Sequence, residues 1–145
     1  MIIYPNVTLA VCEWIRRRLP IIGAGQPWAG ALITDNWDDS EVKKAPWAVI
    51  VRNDGGADES IITQSPSVGV TCFGPRAPNG ATSEADDLLC ERLAQHVAGI
   101  LRDCAQIGDV NPFADCADLS GPFKVADDRP SYYLAATLVV VGRNI

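Results

Sequence analysis

The side chains able to do chemistry in this chain are few, and their spacing argues against most uses. The single histidine is His96, and the five cysteines are Cys12, Cys72, Cys90, Cys104 and Cys116. A Cys–His nucleophile from Cys90 and His96 fails on direction: six residues separate them along a helical pattern, whereas side chains meet on a helix at spacings of three or four. His96 therefore reads as an isolated polar-face or half-buried residue. The cysteines are odd in number, lack any CxxC pair and sit within apolar patterns, so they read as small buried hydrophobes in a reducing compartment.

The carboxylates give the same answer. Asp127 and Asp128 have the types for an acid pair or a cation site, but adjacent acids ahead of Arg-Pro read as an exposed turn. Asp38, Asp39 and Glu41 have no partnering histidine and no tight-turn glycine, which makes an acidic loop of them rather than a metal site. The run Arg16 to Arg18 suggests an anion site, yet cations toward the end of a helix also complement its dipole, and that reading is preferred. The stretch "IIGAGQPWAG" has glycine and proline punctuation but neither a preceding strand nor a following GKS or GKT, so it is a loop without a phosphate cradle. No GxSxG, HExxH or EF-hand pattern occurs. The sequence thus assigns no catalytic, cofactor-binding or metal-binding residue, and the chain is read as not an enzyme.

What remains is a question of scaffold. A chain of 145 residues with 48% hydrophobic and 21% charged content suits one domain over residues 1–145 with a single core. A net charge of −6 with dispersed acids announces no nucleic-acid or anionic-membrane surface. No apolar run reaches the roughly 18 residues of a membrane helix, and "MIIYPNVTLAV" lacks the basic region of a signal peptide, so a cytoplasmic site of synthesis is expected.

The elements follow from periodicity. Asn6 or Thr8 caps a helix near 7–19, with Val7, Val11, Trp14, Ile15 and the Arg18 stem at helical spacing until Pro20 stops it. A short strand is expected near 29–34 and a polar, solvated connection over "DNWDDSEVKKAP". A second strand covers Trp47 to Arg52, closed by "NDGG" as a turn, and a third extended region places Val68, Val70 and Cys72 on one face and Ser67, Gly69, Thr71 and Phe73 on the other. The strongest helical signal is "TSEADDLLCERLAQHVAGILRDC", capped by Thr82 or Ser83, with a core stripe of Ala85, Leu88, Leu89, Leu93, Val97, Ile100, Leu101 and Cys104. The segment after it is irregular, with strand character around Phe123 to Val125. A final strand begins near Ser131. The fold class is α+β: a mostly antiparallel sheet with two principal helices packed on one face.

The last strand poses a problem of its own. Tyr132, Leu134, Ala136, Leu138 and Val140 form one face; Tyr133, Ala135, Thr137, Val139 and Val141 form the other, and neither is polar. The second face needs a loop of the same chain or a neighbouring subunit over it, and the sequence leaves both open.

Taken in order, a first helix with arginines, "WAVIVRNDGG", "PSVGVTCFGP", "SEADDLLCERLAQHVAGIL" and "GPFKVADDRPSYYLAATLVVVGR" resemble the tail terminator proteins of long-tailed, siphovirus-type bacteriophages, particularly those of actinobacterial hosts. The resemblance spans nearly the whole chain and rests on patterns of fold: the strand before "DGG", the strand "VGVTCFG", and Pro130, Tyr132 and Leu138 in the ending. The chain departs from the family pattern between Cys104 and Cys116 and in the longer loop from Asp35 to Ala45. The resemblance implies a ring, expected to hold six copies, at the head-proximal end of the tail tube. Such a ring stops polymerisation of the major tail tube protein and offers a surface to head completion or connector proteins. The resemblance further implies that genomic DNA passes through the lumen of that ring without specific binding, that no cofactor or membrane is involved, and that the protein belongs to the virion after assembly in the host cytoplasm. A head–tail connector or neck adaptor subunit is the alternative. The loop acids Asp35, Asp38, Asp39 and Glu41, the lysines Lys43 and Lys44, and Trp37 in their midst are the candidate interface, tryptophan being enriched among interface anchors; the competing reading folds Trp37 back over its own sheet.

Overall fold

Two helices and an alternating strand pattern dictate most of the architecture. Asn6 caps α1 (Val7–Ile22) by accepting from the Leu9 amide, and the buried Val7, Val11, Cys12, Ile15 and Leu19 recur at helical spacing along it. Pro20 does not stop the helix as expected. It lies in the last turn, and α1 runs two residues beyond it before the Gly23 N–H closes it by donating a hydrogen bond to the Leu19 carbonyl. The arginine run is therefore mid-helix and exposed rather than terminal, which removes the dipole argument for it.

In the computed structural model the described residues are 2–3, 6–36, 40–58, 63–77, 83–104, 113–141 and 143–144. In chain order the elements are β1 (Ile2–Ile3), α1, β2 (Leu32–Thr34), α2 (Ser40–Lys44), β3 (Ala48–Asp58), β4 (Thr63–Phe73), α3 (Glu84–Arg102), β5 (Phe113–Lys124), β6 (Ser131–Val141) and β7 (Arg143–Asn144). Five strands form one sheet in the order β2-β3-β4-β6-β5, with β2 parallel to β3 and all other pairs antiparallel; β1 and β7 pair separately. The α+β class and the packing of α1 and α3 on one face stand as expected.

Three local expectations change. "NDGG" is not a turn: β3 continues through it to Asp58, with an irregularity between Asn53 and Gly55 that absorbs the glycines, Gly55 having φ +103°. The "irregular" segment before the last strand holds the 12-residue β5, whose register against β6 breaks in three places, between Phe113 and Asp115, Cys116 and Asp118, and Ser120 and Phe123. Those breaks erase the period-2 signal a regular strand would print. The core stripe of α3 is also rotated. Cys90, Ala94 and Ala98 turn inward with Leu93, Val97, Ile100 and Leu101, while Ala85 is exposed and Leu88 is 48% exposed.

The core between helices and sheet joins Val11, Ile15 and Leu19 of α1, Leu93, Val97 and Leu101 of α3, Val49 and Val51 of β3, Val68 and Val70 of β4, and Leu134, Leu138 and Val140 of β6. Ser83 caps α3, accepting from the Asp86 amide, and three acids occupy its first turn. Trp14 Nε1 donates to the Ile100 carbonyl at 3.2 Å, fixing one helix against the other.

Candidate functional site

The face of the sheet turned away from α1 and α3 answers the question raised by the last strand, and it answers it in two parts. At one end, α2 folds over it. Val42 is buried with Ala48 and Ile50 of β3 and Phe73 of β4, with Leu32 and Ala45 packed around them, in a small second core. Along β6 the alternation persists: Leu134, Ala136, Leu138 and Val140 are buried under the helices, while Tyr133, Ala135, Thr137, Val139 and Val141 are half-buried. On β5, Phe123 stands opposite Tyr133 and is 54% exposed. A segment of the same chain, α2 and the residues after it, thus covers the β3–β4 corner, and among the described residues no such segment packs over Phe123 and Tyr133 in the β6–β5 part.

Arg129 holds the covering segment in place. It is 4% exposed and sits beyond the end of β5, with its guanidinium 5.1 Å from the Phe73 ring. Its Nε donates to the Gly74 carbonyl (2.6 Å), Nη1 to Val42 (3.0 Å), and Nη2 to Ala45 (2.8 Å) and Pro46 (3.2 Å). The planar fork of arginine suits this convergence of carbonyls on one side chain. Burial, and then the nearby Arg76, push its pKa down from the ordinary arginine range.

On the open face a second polar group stands among the apolar positions. Arg52 Nε donates to Asp54 at 3.0 Å, Tyr133 Oη donates to the other oxygen of the same carboxylate at 2.9 Å, and the guanidinium carbon lies 5.6 Å from the Tyr133 ring. Gly69 of β4 leaves the space for it: a Cβ there would run into the Asp54 carboxylate and the Tyr133 hydroxyl. Across the sheet, Tyr132 makes the matching bond on the helical side, donating to Asp87 at 2.9 Å, with Lys124 of β5 3.3 Å from the other Asp87 oxygen. Burial and the Asp87 carboxylate together push the Tyr132 phenol up from its usual range.

Both outer strands are obstructed. Leu32 donates to the Trp47 carbonyl toward β3, so the Ile33 carbonyl faces outward, and Arg16 occupies it with Nε at 3.2 Å and Nη2 at 2.6 Å. β5 carries its three register breaks and Pro122, whose missing N–H cannot extend a ladder.

Of the sequence-predicted interface residues, Asp35, Glu41, Lys43 and Lys44 are exposed, and Trp37, Asp38 and Asp39 lie outside the described residues. The segment is not the fully solvated connection expected from its charges, because Ser40–Lys44 is helical and Val42 is buried at 5% exposure. His96 is half-buried, as expected for it: its ring centroid is 4.7 Å from that of the fully buried Trp28, and its Nδ1 is 2.7 Å from the Arg92 carbonyl. It borders an open cleft of about 270 Å³ with Arg18, Ile22 and Asp103. Asp127 and Asp128 form an exposed turn, and their mutual hydrogen bond raises the first carboxyl and lowers the second. Cys12, Cys72, Cys90 and Cys104 are buried free thiols, with burial pushing Cys12 up to about 11 and Cys90 and Cys104 up to about 12; Cys116 is half-buried. Such thiols are poor nucleophiles at neutral pH. Among the described residues no three metal-ligating side chains converge and no helix is long and apolar enough to cross a membrane.

Arg129, the Arg52–Asp54–Tyr133 group and the Arg16 edge contact were missed in the sequence. The period-2 pattern did place Arg52 and Tyr133 on outward faces, but only sheet register shows them to be neighbours. No protein-family model matches the chain, and no curated protein is significantly similar to it.

Proposed function

We propose that this chain is the subunit of a closed ring, six copies in the form the sequence resemblance implies, that caps the head-proximal end of a phage tail tube. There it stops addition of tube subunits and presents a surface to head completion proteins, as part of the virion. The observation that carries this reading is the half-covered sheet. A face lined by Tyr133, Ala135, Val139 and Phe123 keeps apolar area in water unless another surface meets it. Obstructed outer strands direct association to that face rather than to edge-to-edge strand addition. Arginine and tyrosine at its centre are residue types enriched among interface anchors.

The test combines purified chain with tube subunits and reads the product by negative-stain microscopy and native mass spectrometry. Rings on one end of tubes of uniform length are expected. The Val139→Asp variant, altered only at a half-buried outward position, should keep the wild-type circular dichroism spectrum and lose the rings. Tubes of uncontrolled length with the wild-type chain, or rings formed equally well by Val139→Asp, would refute the reading.

A further inference from the structure

Beneath α2, next to the Arg129 clamp, lies a cleft of about 130 Å³ bordered by Lys43, Arg76, Arg129 and Asp127 above an apolar floor of Val42, Ile50 and Phe73. The cleft is open to solvent and roomy enough for a phosphate or a carboxylate group. We infer that this cleft is an oxyanion site, built to take a phosphate-sized or carboxylate group against Arg129, Arg76 and Lys43.

Arg129 is a buried cation whose hydrogen-bond acceptors are four backbone carbonyls, all neutral, and among the described residues no carboxylate lies within ion-pair distance of it. A buried charge without a counter-ion is costly, and dipoles of neutral carbonyls offset that cost only in part. The four carbonyls engage four of the five guanidinium N–H groups, which leaves one on Nη1 for a further acceptor. Arg76 and Lys43 add two more cations to the rim. Arg76 pairs with Asp128 at 3.5 Å, but the two side chains are 49% and 64% exposed, so that contact is weak and exchangeable. Asp127, the one carboxylate lining the cleft among the described residues, already accepts from the Asp128 amide at 2.6 Å, which engages one of its oxygens. The apolar floor lowers the local dielectric and strengthens whatever charge pair forms there.

The oxyanion has two sources, a free ion or a side-chain carboxylate of a second copy of this chain, and one experiment separates them. The melting temperature is followed against inorganic phosphate and against acetate, with chloride holding ionic strength constant, while sedimentation velocity reports association. At tenfold excess over Kd, phosphate should raise the wild-type Tm by roughly 3–5 °C. Lys43→Gln with Arg76→Gln, both at exposed side chains, should abolish the rise without lowering the starting Tm much; Arg102→Gln, a distant control, should retain it. A monomer throughout identifies a free ion as the ligand. Dissociation of a self-associated species by phosphate and acetate identifies the carboxylate of a second copy. Neither a rise beyond the chloride control nor dissociation by phosphate, or a response that survives the double substitution, overturns the inference.

Discussion

Replacing Arg129 tests whether the cover over the second sheet face depends on one side chain. Arg129→Ala removes four charge-assisted hydrogen bonds and the contact with the Phe73 ring, and it leaves the carbonyls of Val42, Ala45, Pro46 and Gly74 without that donor. Hydrogen bonds to charged groups contribute about 1.5–3 kcal/mol each, but three of these carbonyls flank a short surface helix that can open to water. A net loss of about 3–5 kcal/mol follows, similar to the cost of breaking a buried ion pair. For a domain of this size that lowers Tm by roughly 10–15 °C. Arg129→Met sharpens the test. Hydrophobic replacement of a buried ion pair is often neutral, because both charges leave together; here only the donor leaves and the four carbonyls stay. Methionine should therefore cost nearly as much as alanine, and lysine, with three donors and no planar fork, an intermediate amount. Urea denaturation gives the free energies, and hydrogen exchange should show the amides of residues 40–45 losing protection first. A methionine variant as stable as wild type would refute the clamp.

The buried thiols set an alkaline limit. Cys12, Cys90 and Cys104 have pKa values raised from 9.0 to about 11, 12 and 12, so above pH 9 the unfolded chain releases protons that the native chain keeps. Their contribution is complete below pH 9 and falls as pH rises, by about 1.4 kcal/mol per pH unit per thiol; urea midpoints at pH 8, 9 and 10 should decline, and Cys104→Ala should make the decline shallower. Gly69→Ala should cost about 1–3 kcal/mol by forcing apart Asp54 and Tyr133, and the double variant Gly69→Ala with Tyr133→Phe should recover part of it in thermal melts. Leu93→Ala, at a fully buried position, should cost about 2–5 kcal/mol, and His96→Ala less, since a half-buried ring loses its contact with Trp28 and an exposed hydrogen bond to the Arg92 carbonyl but leaves no core cavity; equal costs in denaturant titrations would contradict the placement of these side chains.

The sequence by itself determined what local chemistry encodes. Asn6 and Ser83 are residues that cap helices wherever the chain puts them, and an apolar residue every third or fourth position compels a helix to bury that stripe, so α1 and α3 were legible to within a few residues. Alternation in β4 and β6 likewise sorted Val68, Val70 and Cys72, and Leu134, Leu138 and Val140, onto the buried face. Only the tertiary structure decided the rest. β5 was illegible because each register break resets the two-residue period, and the rotation of α3 was hidden because small Cys90, Ala94 and Ala98 carry little hydrophobic signal although all three are buried. Val42 looked like one apolar residue among charges, and Arg129 like one more surface cation after two acids. Their burial depends on contacts of Arg129 with a segment more than eighty residues away and with Gly74, and the free energy of four converging carbonyls exists only once the residues after β5 have met both α2 and the end of β4.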